Sequence, residues 1–304
     1  MDYSLYITQP DFKTAVTYLM AFWNAVDLRF KLLTQPRIEL NIAAFIISIQ
    51  NGGTPFIMGT GNESRLVNTS DALGAMRKFF YPDGKIPVNY DIAIAMTQLD
   101  LYFGAFVRVI TGMAYVAAPC NLSPSENEIF SLAIVEDNGA FRNVLMAAHE
   151  LGHLLGADHD GEKENKNCTG NQGLLMSPAI GFLEEYYYWS DCSIQQIRKL
   201  MNSKLAACLF NVPQPGRPPQ ALLPGEVKSL DEQCQIAVGT NVCRHKMENI
   251  CETLWCLDPE KEGSCVNPSA AAEGSICGDY KHCMSGMCVG TLGMSILVHK
   301  HSSR

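Results

Sequence analysis

His149-Glu150-Leu151-Gly152-His153-Leu154-Leu155-Gly156-Ala157-Asp158-His159-Asp160 places three of the chain's seven histidines within eleven residues. On a helix of about 3.6 residues per turn, His149 and His153 lie one turn apart on one face, so their ring nitrogens can reach the same ion. Glu150 stands beside them, aimed at whatever fills the ion's remaining position. A straight helix would carry the next residues away. Gly156 can take the left-handed conformation that ends it, which lets His159 return to the ion. Three neutral imidazoles are the donor set of a zinc ion that keeps one position open; water held there has its pKa lowered toward about 7, and Glu150 is placed to take its proton.

A bare His-Glu-x-x-His arises by chance in roughly one chain in a hundred of this length, whereas the full six-residue pattern arises in about one in a million. The full pattern is therefore read as a site rather than as exposed helix residues. A purely structural zinc site is usually closed by a fourth side chain, often cysteine, and no cysteine lies inside the run. The open, catalytic form is favoured.

This extended run resembles the zinc-binding motif of the metzincin metalloproteases, and Asp160 directly after the third histidine resembles the reprolysin (adamalysin, M12B) branch. Met176, in Gly173-Leu174-Leu175-Met176-Ser177-Pro178 and seventeen residues after His159, fits that family's Met-turn, the apolar floor under the zinc. The resemblance implies a zinc endopeptidase in which His149, His153 and His159 hold the metal, Glu150 is the general base, and Asp160 stands behind the third ligand. It also implies an α/β catalytic domain with helices and a mixed, mostly parallel sheet that ends in an antiparallel edge strand. Reprolysins commonly carry a cysteine two residues before the Met-turn methionine; Leu174 stands there instead, which suggests one disulfide fewer.

Residues 129–139 alternate and then turn, as a strand before the active-site helix should. By resemblance this is the edge strand, with Ser131, Leu132, Ala133, Ile134 and Val135 offering backbone groups to an extended substrate. Residues 177–180 would wall the pocket for the side chain after the cleaved bond. The family also implies disulfides Cys120 to Cys208 and Cys168 to Cys192, and a structural calcium ion held by Asp100, the carbonyl of Cys208 and Asn211, with Asp2 where the family often has a glutamate.

Twelve cysteines without a Cys-x-x-Cys pair point to disulfides and an oxidising compartment. Four N-glycosylation sequons, at Asn62, Asn68, Asn121 and Asn167, agree with a secreted glycoprotein. Asn167 has Cys168 in its middle position, which tends to lower occupancy. No stretch approaches the roughly 20 apolar residues of a membrane span. A net charge of −8 argues against nucleic acid. Extracellular protein substrates such as matrix or plasma proteins are expected, with a monomer the simplest state. Residues 2–7 read as a first strand with no basic start or apolar leader core, so the signal and propeptide of such an enzyme are expected to lie outside this chain.

Two domains are expected. Residues 1–211 alternate strand-like and helix-like segments, namely 3–7, a helix over 12–33, then 38–49, 71–80, 91–96 and the edge strand. Residues 212–226 are expected as an extended linker, since 211–226 hold five of the fifteen prolines. Residues 227–290 hold the remaining eight cysteines, an even number in a segment too small for a large core, and four disulfides among 105 connectivities are expected. Residues 291–304 form a tail. Leu223-Pro224-Gly225-Glu226, Asp231-Glu232-Gln233-Cys234-Gln235, Leu254-Trp255-Cys256 and Gly274-Ser275-Ile276-Cys277-Gly278 resemble the disintegrin-like module of the ADAMTS proteases, which in that family packs near the cleft and helps select substrates. No Arg-Gly-Asp occurs. The short architecture resembles the secreted salivary metalloproteases of blood-feeding arthropods. The alternative is a secreted binding or anti-haemostatic protein that acts through the second module on a protease scaffold.

Overall fold

The computed structural model describes residues 1–57, 65–83, 86–104, 108–178, 184–212 and 221–290. The sequon at Asn62, residues 179 and 180 of the expected pocket wall, much of the linker and the tail lie outside the described residues.

Asp2 caps a short helix, α1 (Tyr3–Tyr6), by accepting the Leu5 N–H on Oδ1 at 3.0 Å. A strand was expected here. The aromatic and β-branched side chains favour one, but the cap three residues upstream of Leu5 supplies a local bond that a strand could not. The long helix α2 (Phe12–Phe30) is capped by Asp11 and buries Ala15, Tyr18, Leu19, Phe22, Ala25, Val26, Arg29 and Phe30, the stripe of a helix against a core. Residues 38–49 carry no regular element. They run beside Met1, whose amino group donates to Ile46 O and whose carbonyl accepts from Ser48 N–H.

Strand β1 (Leu66–Asn68) leads into helix α3 (Thr69–Phe79), capped by the Asn68 side chain. Then come β2 (Ala93–Thr97), β3 (Asp100–Phe103), β4 (Arg108–Ile110), β5 (Gly112–Ala114), β6 (Leu122–Ser123), β7 (Glu128–Ile129) and β8 (Leu132–Glu136). Among the described residues, β1 pairs β3 and β2 pairs β8 in parallel, while β3 with β4, β5 with β8 and β6 with β7 are antiparallel. The arrangement is mixed rather than mostly parallel.

Strand β8 lies between β2 and β5, so it is an inner strand. This corrects the reading of Ser131, Leu132, Ala133, Ile134 and Val135 as the edge: all five are at most 1% exposed. Their side chains alternate between two cores. Ala133 and Val135 face the cluster of α2 and the helix α4 (Val144–Leu154), whereas Leu132 and Ile134 face the cluster built on α3. A strand buried on both faces reads as a continuous apolar run. The edges of this three-stranded sheet are β2 and β5, and β5 is the antiparallel one.

Helix α5 (Asp191–Met201) follows, capped by Ser190, and a 3-10 turn at Lys204–Phe210 closes the segment. The expected extended linker ends early: Pro224–Val227 form helix α6, with Pro224 at its first turn and the Leu223 N–H donating to Glu226 at 2.7 Å. Helix α7 (Leu230–Val238) opens on a capping box of Ser229 and Glu232. It packs with the pair β9 (Leu254–Leu257) and β10 (Cys265–Ser269), and the meander β11 (Ile276–Gly278), β12 (Lys281–Met284) and β13 (Met287–Gly290) completes the chain's described end. Disulfides join Cys234 to Cys256, Cys243 to Cys265, Cys251 to Cys283 and Cys277 to Cys288. Val227 and Ala272 rest on the core of the first part, so the cystine-rich part is docked against α2.

Candidate metal centre and substrate cleft

Helix α4 carries His149, Glu150 and His153, all under a tenth exposed. It ends in a Schellman pair: Gly156, at φ +94°, donates to His153 O, and Ala157 N–H reaches back to Gly152 O. The turn returns His159 to the helix face. Its Nε2 lies 3.2 Å from His149 Nε2 and 3.2 Å from His153 Nε2.

Backbone carbonyls fix the tautomers. His149 Nδ1–H donates to Leu175 O and His153 Nδ1–H to Ala157 O, each at 2.7 Å. The Nε2 atoms of those two rings are therefore bare lone pairs, each 3.2 Å from His159 Nε2, a spacing at which one cation can be shared by all three. Donors about 2.0–2.1 Å from a tetrahedral zinc ion stand roughly 3.3 Å apart, so the three nitrogens fit the ion. Burial holds His149 well below the usual imidazole range, and burial together with the neighbouring His159 pushes His153 down to about 4. Both are thereby kept in the neutral form that binds metal.

Glu150 is 4% exposed, burial pushes its pKa up to about 8, and its Oε2 has no hydrogen-bond partner. An orphaned buried carboxylate oxygen beside three converging imidazoles is what a proton acceptor for a bound water requires. Gly112 of β5 makes room for it, because a Cβ there would stand 2.6 Å from Glu150 Oε1. Met176 is fully buried; a Cβ on Gly152 of α4 would lie 2.8 Å from its sulfur, and its carbonyl accepts from Asp160 N–H at 2.9 Å. Asp160 Oδ1 accepts from Ser190 Oγ at 2.6 Å, tying the third-histidine loop to the start of α5. Ser177 is buried next to Met176.

Strand β5 is the sheet edge that lies beside Glu150. Thr111 O accepts from Glu136 N–H and Tyr115 N–H donates to Leu132 O, so odd-numbered residues face β8. By the alternation of an antiparallel ladder, Gly112 and Ala114 turn their N–H and C=O groups the other way, off the edge of the sheet. Sequence reasoning missed both. The small residues of Thr111-Gly112-Met113-Ala114 were the signal, since they admit a second backbone at close range.

Cys120 is bonded to Cys208 and Cys168 to Cys192. The expected calcium set is not brought together as expected. Asn211 Nδ2 donates to the carboxylate of Asp91, at 3.3 and 3.4 Å, and Asp91 rather than Asp100 is the acid beside it. Asp100 instead opens β3, paired to Leu66, with the neighbouring Leu101 N–H on Glu136. Asp2 is turned inward, onto Ser4 and Thr97. Of the sequons, Asn121 and Asn167 are exposed, while Asn68 is half-buried and spends its carbonyl on the cap of α3.

Residues 95–213 match the family described as "Reprolysin (M12B) family zinc metalloprotease", and residues 224–289 match "ADAMTS cysteine-rich domain 2". A Bombyx mori protein named "A disintegrin and metalloproteinase with thrombospondin motifs like" is 38% identical over 285 residues, which is 90% of this chain and 40% of that protein. Mus musculus proteins named "A disintegrin and metalloproteinase with thrombospondin motifs 12" and "4" are 32% and 31% identical, over 67% and 77% of this chain and 12% and 28% of their own lengths. The chain thus spans less than half of each of these relatives. No described helix is long and apolar enough to cross a membrane.

Proposed function

The chain belongs to the reprolysin (M12B) family of zinc metalloproteases, with an ADAMTS-type cysteine-rich domain behind the protease domain, and we propose that it is itself an active, secreted zinc endopeptidase that cuts extended stretches of extracellular proteins. We take residues 1–211 as the catalytic domain, 212–223 as the linker and 224–290, from helix α6 onward, as the second module. The observation that carries the reading is the convergence of three imidazole Nε2 atoms at 3.2 Å beside the unpartnered Oε2 of Glu150.

His149, His153 and His159 hold the metal. Zinc bound there supplies a Lewis acid that acidifies a water and polarises a carbonyl. The substrate lies as an added strand on β5, held by the outward groups of Gly112 and Ala114. Glu150 takes the water's proton on its free oxygen. The same carboxyl then delivers that proton to the peptide nitrogen as it leaves. The Met176 floor and the Asp160 tether keep the histidines in place while the proton moves.

The test is the Glu150→Gln variant of the full chain, which keeps the size and burial of the side chain but cannot take a proton. Incubated with a mixed peptide library and read by mass spectrometry, it should bind zinc normally and lose at least about a thousandfold in turnover. Near-normal cleavage by that variant, or by chelated wild type, would overturn the assignment.

A further inference from the structure

Arg29, in the last turn of α2, heads the fully buried large side chains and is 1% exposed. A guanidinium out of water is costly unless its hydrogens are matched by acceptors and a counter-charge. The Nη groups find such partners in two distant parts of the chain, while Nε has none among the described residues. Nη2 donates to Glu273 Oε1 at 2.9 Å and Nη1 to Ser285 Oγ at 3.0 Å, both in the cystine-rich module. Glu273 is itself held by the Ser285 N–H, 3.0 Å from each carboxylate oxygen. On its other side the Arg29 guanidinium stands over the Tyr187 ring, 5.0 Å from its centroid, with Nη1 3.5 Å from the Tyr187 carbonyl, and the Arg29 carbonyl accepts from Trp189 Nε1 at 2.8 Å.

Residues 187–189 lead straight to the metal centre. The Tyr188 carbonyl accepts the Leu175 N–H at 2.8 Å, and the Leu175 carbonyl accepts the His149 Nδ1–H at 2.7 Å. Trp189 lies against the active helix at Gly152, where a Cβ would come within 2.8 Å of its ring. Four successive contacts therefore join Glu273 of the module to a histidine of the centre: Glu273 to Arg29, Arg29 to Tyr187, Tyr188 to Leu175, and Leu175 to His149.

Resting on the endopeptidase reading for its catalytic consequence, we infer that Arg29 and Glu273 are positioning residues, the pair through which the cystine-rich module holds residues 187–189 and, with them, the Leu175–Met176 floor beneath the cleft. The module then acts on catalysis through the protease's own turn, apart from any surface it offers to substrate. Undocking it releases Tyr187 and Tyr188 from one side, and the turn that orients His149 loses its fixed partner.

The experiment uses the full chain with Arg29→Met and, separately, Glu273→Gln, which keeps the shape of the carboxylate and one acceptor for Ser285 should the first variant fold poorly. Hydrogen exchange is read at the Leu175 amide, with the Ile134 amide of β8 as internal reference, and kcat and KM are read on peptides varied at the residue after the scissile bond. Exchange at Leu175 should speed up at least tenfold in either variant that folds, while Ile134 stays protected. The value of kcat/KM should fall about tenfold, with an altered preference at the varied position. A lowered melting temperature with Leu175 protection, kcat/KM and preference all as in wild type would reduce the pair to a structural contact and overturn the inference. The exchange readout needs no activity, so the failure of Glu150→Gln to abolish cleavage would sink the endopeptidase reading while leaving the coupling to be judged on Leu175.

Discussion

Glu150 is accommodated by the absence of a side chain at Gly112, and the distances decide what a methyl group there would do. A Cβ 2.6 Å from Oε1 and 2.7 Å from Cγ of Glu150 cannot coexist with the carboxylate where it stands, and the backbone of β5 is held by its pairing to β8. The carboxylate must move. Gly112→Ala should lower kcat by one to two orders of magnitude with zinc content unchanged by elemental analysis, and full activity would refute the clearance role. The histidines respond to the metal instead. With zinc removed, the bare Nε2 lone pairs of His149 and His153 lose the cation they share, so a chelator should lower the melting temperature by on the order of 10 °C, reversibly on adding zinc back, if the ion is normally present at about a thousand times its Kd. An unchanged melting curve would argue against a bound ion. The histidine spacing was legible because it is local to one helix and one turn. The carbonyl that orients His149 was not, since Leu175 lies 26 residues away and any backbone carbonyl serves.

At the scale of elements, the N-terminus of α4 has no side-chain cap of its own and borrows one from Asp137. That carboxylate is fully buried, accepts from Asn143 and Gly139 N–H at 3.1 Å each, and takes the hydroxyl of Tyr18 from α2. Burial pushes its pKa up, against the hydrogen bonds that pull it down. With a folded pKa above the unfolded value of 3.8, the native state holds its proton longer, so this group's contribution falls as pH rises from about 4 through the raised value and is level beyond. Asp137→Asn loses that slope and sets an amide N–H against backbone donors. It should be destabilised by about 1–3 kcal/mol, with the gap to wild type widest near pH 4 and narrowing toward neutrality in urea titrations. A gap that widens with pH would contradict the shift. The same scale shows why the edge was misread. Residues 129–135 are apolar almost without break, which signals burial on both faces, whereas the edge itself is only Gly112-Met113-Ala114, whose strand state comes from pairing with β8 and not from propensity.

Across the whole molecule, the cysteine count announced a disulfide-held module, but the pairing depends on which loops close in space. The acid beside Asn211 likewise follows from the tertiary path: Asp91 and Asp100 flank the same strand, and only the structure brings Asp91 to Asn211. The module's own cluster is small, centred on Cys234, Val242, Ile250, Cys251, Leu254, Cys256, Ala271 and Cys283, so its stability leans on its cross-links. Their worth should scale with the loops they close. The Cys251–Cys283 bridge spans 32 residues and joins two side chains that are each 2% exposed, whereas Cys277–Cys288 spans 11 and lies nearer the surface. Chain entropy puts the first at about 3.7 kcal/mol and the second near 2.8 kcal/mol, and serine at Cys251 and Cys283 also leaves buried hydroxyls without assured partners. The Cys251→Ser/Cys283→Ser variant should therefore expose the module to limited proteolysis under conditions where Cys277→Ser/Cys288→Ser remains intact. Because Glu273 and Ser285 bracket Cys283 in sequence, the first variant should also loosen the Arg29 contact and the second should leave it in place. Equal protease resistance of the two variants would mean that apolar packing, rather than cross-linking, holds the module together.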